Sequence, residues 1–474
     1  MNRRVRKTDN AERIANDVSR QIRGNKWEPG HVIPPLRTLA ERYQVSHETV
    51  RRALQELEDR GLLRKIQGRG TVVESASRTR ESAGSAFPPD PLFRKQLTVR
   101  SNEIGTEKGE LWSRAADAFM AEQPNVAVTL AALSRFDFHP ALDTMPDILH
   151  APTWQLEGYA AAGLLLDLSP FCEEEPLFGS DLMPNTALPA GRRPVFHVPM
   201  TFDIRVMYVN LDRMPARELD GLRENWTVER VTAWMSRRAA GSKGGSGLPR
   251  PRVMLSLFGV NPLDVGGMKE NLKRLPGVLD KLGALFRDCP FYEDSELHRD
   301  TDMQAIGDFL AQRTPLVFHH TFSMTTAVKR MKARWAVLPV PLAPGACPAR
   351  YGMSCAITRN CPAPDAAMSL IRFLAGPRGQ QIFASGKTNI PARLSAARSN
   401  AFLAAPPSGM GDIVESAGRT REYLHGGGQA FEMAWTAVWD EELLFFLLRR
   451  RPTAETVERI RRRCEILIRA HRLL

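Results

Sequence analysis

The sequence predicts two folded parts of different kinds, a small helical module with a β-hairpin near the N-terminus and a larger α/β domain after it. Apolar residues recur at helical spacing between residues 14 and 57. A tract rich in Ser, Ala and Pro follows at residues 75–91. Beyond this tract, short apolar strands alternate with helical patterns, which is typical of an α/β fold.

Length and composition agree with this division. The chain has 474 residues, which at about 100 to 200 residues per domain indicates two to four folding units. Apolar residues make up 43% and charged residues 25%, which fits a globular protein and excludes a disordered or fibrous one. No apolar run reaches the roughly 18 to 20 residues that span a bilayer, and the basic N-terminus lacks the apolar segment of a secretory signal. We therefore expect a cytoplasmic protein with no membrane partner.

The cysteine and histidine residues of the chain do not form a pattern typical of a metal site or a disulfide framework. The chain has 6 cysteines and no Cys-x-x-Cys pair, so neither a zinc site nor a disulfide framework is predicted. His319 and His320 are adjacent, but Asp and Glu do not accompany them at ligand spacing, and we interpret them as a loop pair. We expect no metal and no cofactor.

Positive charge is concentrated in the N-terminal part. Residues 1–80 hold 18 Lys and Arg against 10 Asp and Glu, a net charge of +8 out of +12 for the chain. Neutralising phosphates requires locally concentrated cations, so this asymmetry favours a nucleic-acid-binding module joined to a nearly neutral larger part. A solvated basic surface without a partner would show the same charge.

Three helices are predicted in the N-terminal module. The second begins at Pro35, and the third is capped by Ser46 and ends at Gly61. Val45 and Val50 can form a hydrophobic staple at the start of the third helix. The predicted inward positions are Ile14, Val18 and Ile22 in the first helix, Leu36, Leu39, Ala40 and Tyr43 in the second, and Val50, Ala53, Leu54 and Leu57 in the third.

A β-hairpin follows these helices. Two short strands are predicted at residues 62–66 and 71–73, joined by the glycine-rich turn 67–70. Together the elements form a winged helix-turn-helix, in which the N-terminal side chains of the third helix meet base edges in the major groove. The second helix and the wing contact phosphates. Residues 1–74 are therefore predicted to bind double-stranded DNA.

The N-terminal module resembles the DNA-binding domain of GntR-type regulators. The matching residues are Trp27, Pro29, Gly30, Ile33, Pro34, Arg37, Leu39, Ala40, Val45, Ser46, Thr49, Val50, Arg51, Ala53, Leu54, Leu57, Gly61, Leu62, Leu63, Gly68, Gly70, Thr71 and Val73. The resemblance implies that DNA contacts come from Arg37 and from Ser46, His47, Glu48, Thr49 and Arg51 at the start of the third helix. It also implies contacts from Gly68, Arg69 and Gly70 in the wing.

Three positions qualify this implication. Pro35 and Leu36 stand where the family usually has Ser and Glu, and His47 stands where Arg is usual, so the operator sequence cannot be inherited from the family. Arg52 is a further candidate for DNA contact. It is spaced i, i+4 from Glu48, however, and the two could simply pair on the helix surface.

The larger part resembles the extracellular solute-binding proteins of ABC importers, the family of the maltose-binding protein. Its pattern begins with strands near residues 97–99, 125–130 and 147–149 and a helix near 111–120, which favour a largely parallel sheet. The matching residues include Phe119, Pro124, Asn125, Val126, Pro146, Asp147, Ile148, Tyr159, Gly163, Leu164, Val198, Pro199, Met200, Asp203, Tyr208, Asn210, Trp226, Pro339, Val340, Pro341, Phe373, Leu374, Gly379 and Gln380.

This second resemblance implies a two-lobed, periplasmic-binding-protein-like α/β domain. It would span residues 92–474, after a linker at 75–91. Lobe one would comprise about 96–200 and 343–405, and lobe two about 205–338 and 410–474. The chain would cross a hinge near residues 200–203 and return near 339–342. A cleft between two such lobes is the natural site for a small molecule.

The same resemblance places candidate ligand contacts in the cleft. Asp203 falls where the family often has a hinge acid that meets a sugar. Phe322, with His320 before it, falls near an aromatic platform, and Trp154 and Trp435 fall where cleft residues often lie. For the aromatic residues, packing in the core is the alternative interpretation.

Three hypotheses of function follow. The first is a dimeric transcription regulator, a repressor whose operator binding is controlled by a sugar or oligosaccharide in the cleft. The second is a regulator whose larger domain has lost its ligand and serves as a dimerisation scaffold. The third is a fusion to an aminotransferase-like domain, for which Lys387 would have to hold pyridoxal phosphate, although the expected surroundings of such a lysine are missing.

Overall fold

The computed structural model describes residues 14–15, 17–18, 21, 27, 31–59, 63–66, 70–73, 95–133, 145–174, 177–186, 194–239, 251–285, 301–423 and 428–473. The chain divides into two compact units, Met1–Leu92 and Phe93–Leu474. The predicted linker at residues 75–91 lies outside the described residues. Within them, no helix combines the length and the apolar character needed to cross a bilayer.

The first unit has these elements with described bounds: α1 (Leu36–Tyr43), α2 (His47–Asp59), β1 (Leu63–Ile66) and β2 (Gly70–Val73). The described residues of the predicted first helix, 14–15, 17–18 and 21, are also helical. β1 and β2 pair antiparallel, with Leu63 opposite Val73. Their core consists of Ile14, Ala15, Val18, Trp27, Ile33, Leu39, Ala40, Val50, Ala53, Leu54, Leu57, Leu63 and Val73. Leu36 was expected to point inward, but this first residue of α1 is exposed and does not belong to the core. Ile22 lies outside the described residues.

The hairpin has a third backbone partner that the sequence analysis missed. The amide of Ile33 donates to the carbonyl oxygen of Thr71 at 2.9 Å, and the amide of Val73 donates to that of His31 at 2.9 Å. Trp27 is buried and stacks on His31, with ring centroids 5.8 Å apart. Residues 31–33 therefore tie the segment before α1 to the wing.

The second unit is a mixed α/β domain. In chain order its elements are β3 (Lys95–Ser101), α3 (Gly109–Glu122), β4 (Val126–Ala132), β5 (Ile148–Pro152), α4 (Thr153–Ala161), α5 (Ser169–Glu174), β6 (Val198–Asp203), β7 (Arg205–Asn210), α6 (Ala216–Arg223), α7 (Val228–Ala239), α8 (Pro251–Leu257), α9 (Met268–Leu285), α10 (Thr301–Leu310), β8 (Leu316–His320), α11 (Met324–Arg330), β9 (Trp335–Pro339), β10 (Ala349–Ile357), α12 (Pro364–Ala375), α13 (Pro377–Ser385), β11 (Ile390–Pro391), α14 (Leu394–Ala397), α15 (Asn400–Leu403), α16 (Met410–Gly418), β12 (Arg421–Glu422), α17 (Gly428–Leu447) and α18 (Thr453–Leu473).

The larger of its two sheets has the strand order β11-β6-β10-β5-β3-β4, with the short β12 also paired to β10. β3 is parallel to β4 and β5, but β10 runs antiparallel to β5 and β6. The expectation of a largely parallel sheet is thus correct for β3 to β5 and wrong for β10. β10 begins where the chain returns from the smaller sheet, at the end where β6 leaves, so it must run in the opposite direction.

The smaller sheet has the order β8-β7-β9, with both outer strands antiparallel to β7. Ile204 alone separates β6 of the larger sheet from β7 of the smaller one. The chain returns between the end of β9 at Pro339 and the start of β10 at Ala349. We call the parts built on the two sheets the large-sheet lobe and the small-sheet lobe.

The two lobes share a hydrophobic core. Side chains alternate along β7, so Val206 and Tyr208 face one side of the small sheet and Met207 and Val209 the other. The first side joins the core of the large-sheet lobe, and the second packs on α17 and α18 around Trp435. The lobes therefore meet through apolar packing as well as through the strand crossings.

Candidate functional sites

The start of α2 is built as a capped helix terminus. The amide of Thr49 donates to Ser46 Oγ at 3.2 Å, and the hydroxyls of the two residues lie 2.8 Å apart. Thr49 is only 7% exposed, so its side chain belongs to the cap and not to the exposed face. This capping fixes the direction in which the first turn of α2 presents its other side chains.

The remaining candidates on α1 and α2 lie on the surface. His47, Glu48, Arg51 and Arg52 are exposed. Arg51 makes two hydrogen bonds to Glu48, from Nε at 2.8 Å and from Nη2 at 2.6 Å. Glu48 thus pairs with Arg51, three residues on, whereas the surface pairing considered from the sequence was with Arg52.

The other predicted DNA contacts divide between described and undescribed residues. Arg37 is exposed on α1, and its Nε lies 3.2 Å from a carboxylate oxygen of Glu41. Gly70 begins β2 and lies opposite Ile66. Gly68 and Arg69 lie outside the described residues.

In the second unit, Asp203 lies at the crossing between the lobes. Its Oδ1 accepts hydrogen bonds from the Thr321 hydroxyl at 2.8 Å and the Phe322 amide at 3.0 Å. Its Oδ2 lies 2.6 Å from His320 Nδ1. The ring N–H is not aligned with the carboxylate, since this nitrogen has no hydrogen-bond partner of good geometry, so we treat the contact as electrostatic.

The electrostatics of Asp203 follow from these contacts. Burial raises the pKa of its carboxyl. The interaction with His320 and the hydrogen bonds from Thr321 and Phe322 outweigh burial and hold this pKa below its usual value. A sugar hydroxyl would have to compete with these internal partners. In this conformation Asp203 fastens the hinge.

An open crevice lies next to the hinge. Its walls come from β10 of the large-sheet lobe and from the small-sheet lobe, and its cavity volume is about 30 Å³. That space holds one or two water molecules and no sugar ring. The lining residues are Arg205, Arg252, Val253, Ser256, Leu257, Asn261, Pro262, Leu263, Val340, Pro348, Ala349 and Tyr351.

The predicted cleft aromatics fall in different places. Phe322 is half-buried next to the hinge, and its ring centroid is 5.5 Å from that of His320, which in turn is 5.7 Å from that of Tyr351. Trp154 is half-buried in the first turn of α4, a helix that packs against α17 of the other lobe. These residues lie near the junction of the lobes.

Trp435 requires a correction. It is fully buried in the core of the small-sheet lobe, stacks on Phe431 and donates from Nε1 to the carbonyl oxygen of Pro262 at 2.5 Å. The alternative interpretation, core packing, is the right one, because the apolar face of α17 turns Trp435 into that core.

The crevice contains residues that the sequence analysis missed, above all Arg205, Arg252 and Tyr351. No motif marks them. The only signal in the sequence is that Arg205 and Tyr351 directly follow the two strand crossings.

Lys387 and the pair His319 and His320 contact other parts of the protein. Lys387 Nζ donates to the carbonyl oxygens of Phe402, at 2.8 Å, and Ala404, so the amine is committed to the backbone. Burial lowers its pKa. His319 and His320 are the last two residues of β8, so the interpretation as a loop pair is wrong. His319 is buried, and the described residues contain no group of three metal-ligating side chains.

Comparison with known proteins assigns both parts of the chain. Residues 10–73 match the family of bacterial regulatory proteins of the gntR type, and residues 114–408 match that of the bacterial extracellular solute-binding proteins. The HTH-type transcriptional regulator TreR of Bacillus subtilis is 40% identical over 60 residues, which are 13% of this chain and 25% of TreR. The match thus spans a quarter of that relative's length.

Solved structures resemble the second unit in fold. The substrate-binding protein Lmo0181 of Listeria monocytogenes, in complex with cycloalternan, superposes with a TM-score of 0.59 and 13% identity over 79% of this chain and 98% of that one. UgpB of Mycobacterium tuberculosis, in complex with glycerophosphocholine, gives 0.59 and 14% over the same shares. The predicted α/β fold class, a winged helix-turn-helix followed by a two-lobed binding-protein domain, is confirmed. The chain belongs to the family of bacterial extracellular solute-binding proteins and carries a GntR-family helix-turn-helix domain at its N-terminus.

Proposed function

We propose that this protein is a ligand-responsive transcription regulator, a repressor that binds operator DNA as a homodimer in the cytoplasm. Its effector is a carbohydrate bound between the lobes of the second unit. The observation that carries the DNA-binding role is the capped start of α2, which leaves His47, Glu48 and Arg51 exposed at one helix terminus. This is the geometry with which a recognition helix reads the major groove.

Arg51 is the central residue of this interface. In the absence of DNA its guanidinium is held by Glu48 in an exposed ion pair, which is worth little energetically. A guanine edge or a phosphate offers two acceptors in the same fork geometry, so DNA can replace Glu48 as the partner of Arg51 at low cost. Ser46 and Thr49 support the contact by fixing the helix terminus.

The homodimer follows from the way helix-turn-helix proteins read palindromes. Two recognition helices bound about one turn of DNA apart, roughly 34 Å, contact two half-sites at once. A second binding event within one complex gains from a high effective concentration. A dimer therefore binds far more tightly than one module alone.

The sensing role is supported by the hinge and the crevice. The lobes are joined at Ile204 and at residues 339–349, and the crevice opens beside these crossings. A ligand larger than water requires the lobes to move apart before it binds. Relatives in fold have been solved with cycloalternan and with maltose, which supports a carbohydrate as the effector class here.

The test of DNA binding uses duplexes selected from a random pool by the full-length protein, with affinity measured by fluorescence anisotropy. We expect Arg51→Ala to weaken binding at least tenfold. Lys273→Ala is the matched control, since Lys273 forms an exposed i, i+3 pair with Glu270 at the same 2.6 Å distance, in the second unit. Equal affinities for Arg51→Ala and Lys273→Ala would remove the proposed role of α2.

One observation favours a second candidate, a domain without ligand that serves as a dimerisation scaffold. The crevice has a volume of only about 30 Å³, and the lobes share a hydrophobic core. A thermal-shift screen of sugars separates the two, because a ligand at about 100 times its Kd stabilises the folded protein by about 2.7 kcal/mol. No shift with any sugar, together with intact dimerisation and operator binding, would favour the scaffold.

A further inference from the structure

We propose that the interlobe crevice is an anion site, in which Arg252 binds a carboxylate or phosphate group of the effector. The regulatory role of this ligand rests on the function proposed above, whereas the anion site is argued from the residues that line the crevice. Its charged lining residues are Arg205 and Arg252, and no described lining residue is acidic. The effector is therefore an acidic compound, such as a sugar acid or a sugar phosphate, and not a neutral sugar.

Arg252 is fixed by one hydrogen bond from Nε, and its terminal nitrogens can still donate to a ligand. Its Nε donates to Asp440 Oδ1 at 2.9 Å, which leaves its two terminal nitrogens without a hydrogen bond to any described residue. The side chain is 17% exposed and lines the crevice. A guanidinium fixed at one edge presents its other edge as a preformed fork for a two-oxygen anion.

The charge of Arg252 is secured by its surroundings. Burial lowers its pKa, but Asp440, Tyr351 and Glu432 raise it further than burial lowers it. Asp440 and Glu432 lie on α17 and do not line the crevice. Their carboxylates thus stabilise the guanidinium from outside the crevice, and the edge of the guanidinium that faces the crevice stays accessible to an anion.

Tyr351 adds a hydrogen-bond donor to the crevice. Tyr351 reaches the crevice from β10, and burial raises the pKa of its phenol, so its hydroxyl remains protonated and can donate. Asn261 Oδ1 already accepts from the Leu263 amide at 3.0 Å. Ser256 Oγ donates its one proton to the Val253 carbonyl oxygen at 2.7 Å, so this hydroxyl can only accept, and the donors for an anion are Arg252 and Tyr351. Neutral sugars need acceptors for their hydroxyl protons, whereas an anion needs donors alone.

The test titrates the full-length protein, without DNA, by isothermal calorimetry at constant ionic strength. The probes are inorganic phosphate, acetate and glucose. We expect saturable binding of phosphate or acetate, weakened about tenfold in Arg252→Gln. Phosphate and acetate distinguish a phosphate from a carboxylate ligand, and glucose represents the neutral class.

Two further variants keep the result interpretable. Arg334→Gln is the matched control, because Arg334 forms a similar Nε pair with Asp212 at 2.7 Å on the surface outside the crevice. Arg252→Lys retains the charge beside Asp440 but lacks the fork, so it should fold normally and still bind the anion several-fold more weakly.

Three results would overturn the proposal: no saturable anion binding, an equal loss in Arg334→Gln, or glucose binding that depends on Arg252 without anion binding. These outcomes are separate from the fate of the proposed function. Operator binding without anion binding would leave the regulator and remove the anion site, and anion binding without operator binding would do the reverse.

Discussion

Asp203 Oδ2 and His320 Nδ1 lie 2.6 Å apart and join the last residues of two strands that belong to different sheets. Asp203 ends β6 of the large sheet, and His320 ends β8 of the small sheet. The same carboxylate binds the backbone of Phe322, so one buried acid connects both lobes next to Ile204. The hinge is therefore fastened by this carboxylate at the point where any relative motion of the lobes would begin.

Replacing this acid should loosen the second unit. We expect Asp203→Asn to lower the free energy of unfolding by about 3 kcal/mol, because it weakens two hydrogen bonds to a buried carboxylate, each worth roughly 1.5 to 3 kcal/mol. Asp212→Asn removes an exposed partner of Arg334 and should cost less than about 1 kcal/mol. Urea unfolding followed by tryptophan fluorescence measures both. A similar cost for the two variants would contradict a fastening role for Asp203.

Acid should destabilise the second unit through His150. This histidine is fully buried with Nδ1 2.8 Å from Ser101 Oγ, and burial lowers its pKa to about 4, although Glu103 opposes the shift. Between pH 6.5 and 4, His150 is protonated in the unfolded chain but stays neutral in the folded protein. The free energy of unfolding therefore falls as pH decreases from about 6.5 to 4. Between pH 7 and 5 the expected loss is about 2 kcal/mol.

The measurement is the urea midpoint as a function of pH, with His150→Asn as the comparison. The variant cannot titrate at this position, so its stability should change less between pH 7 and 5. A second decline is expected below pH 4.5 in both proteins. Burial raises the pKa of Glu103, but Lys108 and His150 outweigh burial and lower it to about 2. Parallel pH profiles above pH 5 would refute the assignment to His150.

Glu442 should be essential for the docking of the last helix. Its carboxylate is fully buried on α17 and binds Arg451, Arg459 at 3.1 Å and Arg463 at 2.9 Å. Glu442→Gln removes the buried anion that three guanidinium groups share, and among the described residues only Arg451 and Arg463 keep a second, more exposed carboxylate partner, so the loss should cost about 3 kcal/mol. Glu441→Gln, next to it, removes an exposed partner of Arg463 and should cost less than about 1 kcal/mol. Chemical unfolding of the two variants side by side decides whether Glu442 acts as the buried anchor.

Gly409 is required where the chain passes β9. Its φ is +92°, and a Cβ there would collide with the carbonyl oxygen of Val337. Gly345 also has a positive φ, +74°, but no atom lies within 4 Å of a Cβ built there. We expect Gly409→Ala to cost at least about 2 kcal/mol more than Gly345→Ala, because only the former adds a clash to the backbone strain. Thermal unfolding of both variants tests this, and equal melting temperatures would show that β9 can shift to make room.

The candidate DNA interface could be predicted in detail because its signals are local. The capping serine, the apolar spacing of α2 and the glycine-bounded hairpin all act within a few residues of one another. The burial of Thr49 could not be predicted from spacing, since side-chain burial at a helix terminus depends on how the cap closes. The pairing of residues 31–33 with β2 could not be predicted either, because the partners are about 40 residues apart in the sequence.

The sequence by itself determined the two-part organisation, the helix-turn-helix and the α/β class, since periodicity, caps and turns are properties of neighbouring residues. Only the tertiary structure decided that β10 runs against its neighbours, that Trp435 belongs to a core and that Asp203 binds His320. It also brought Arg205, Arg252 and Tyr351 to one crevice from three distant segments. Such contacts depend on how the chain returns across the hinge, and no spacing along the sequence records that path.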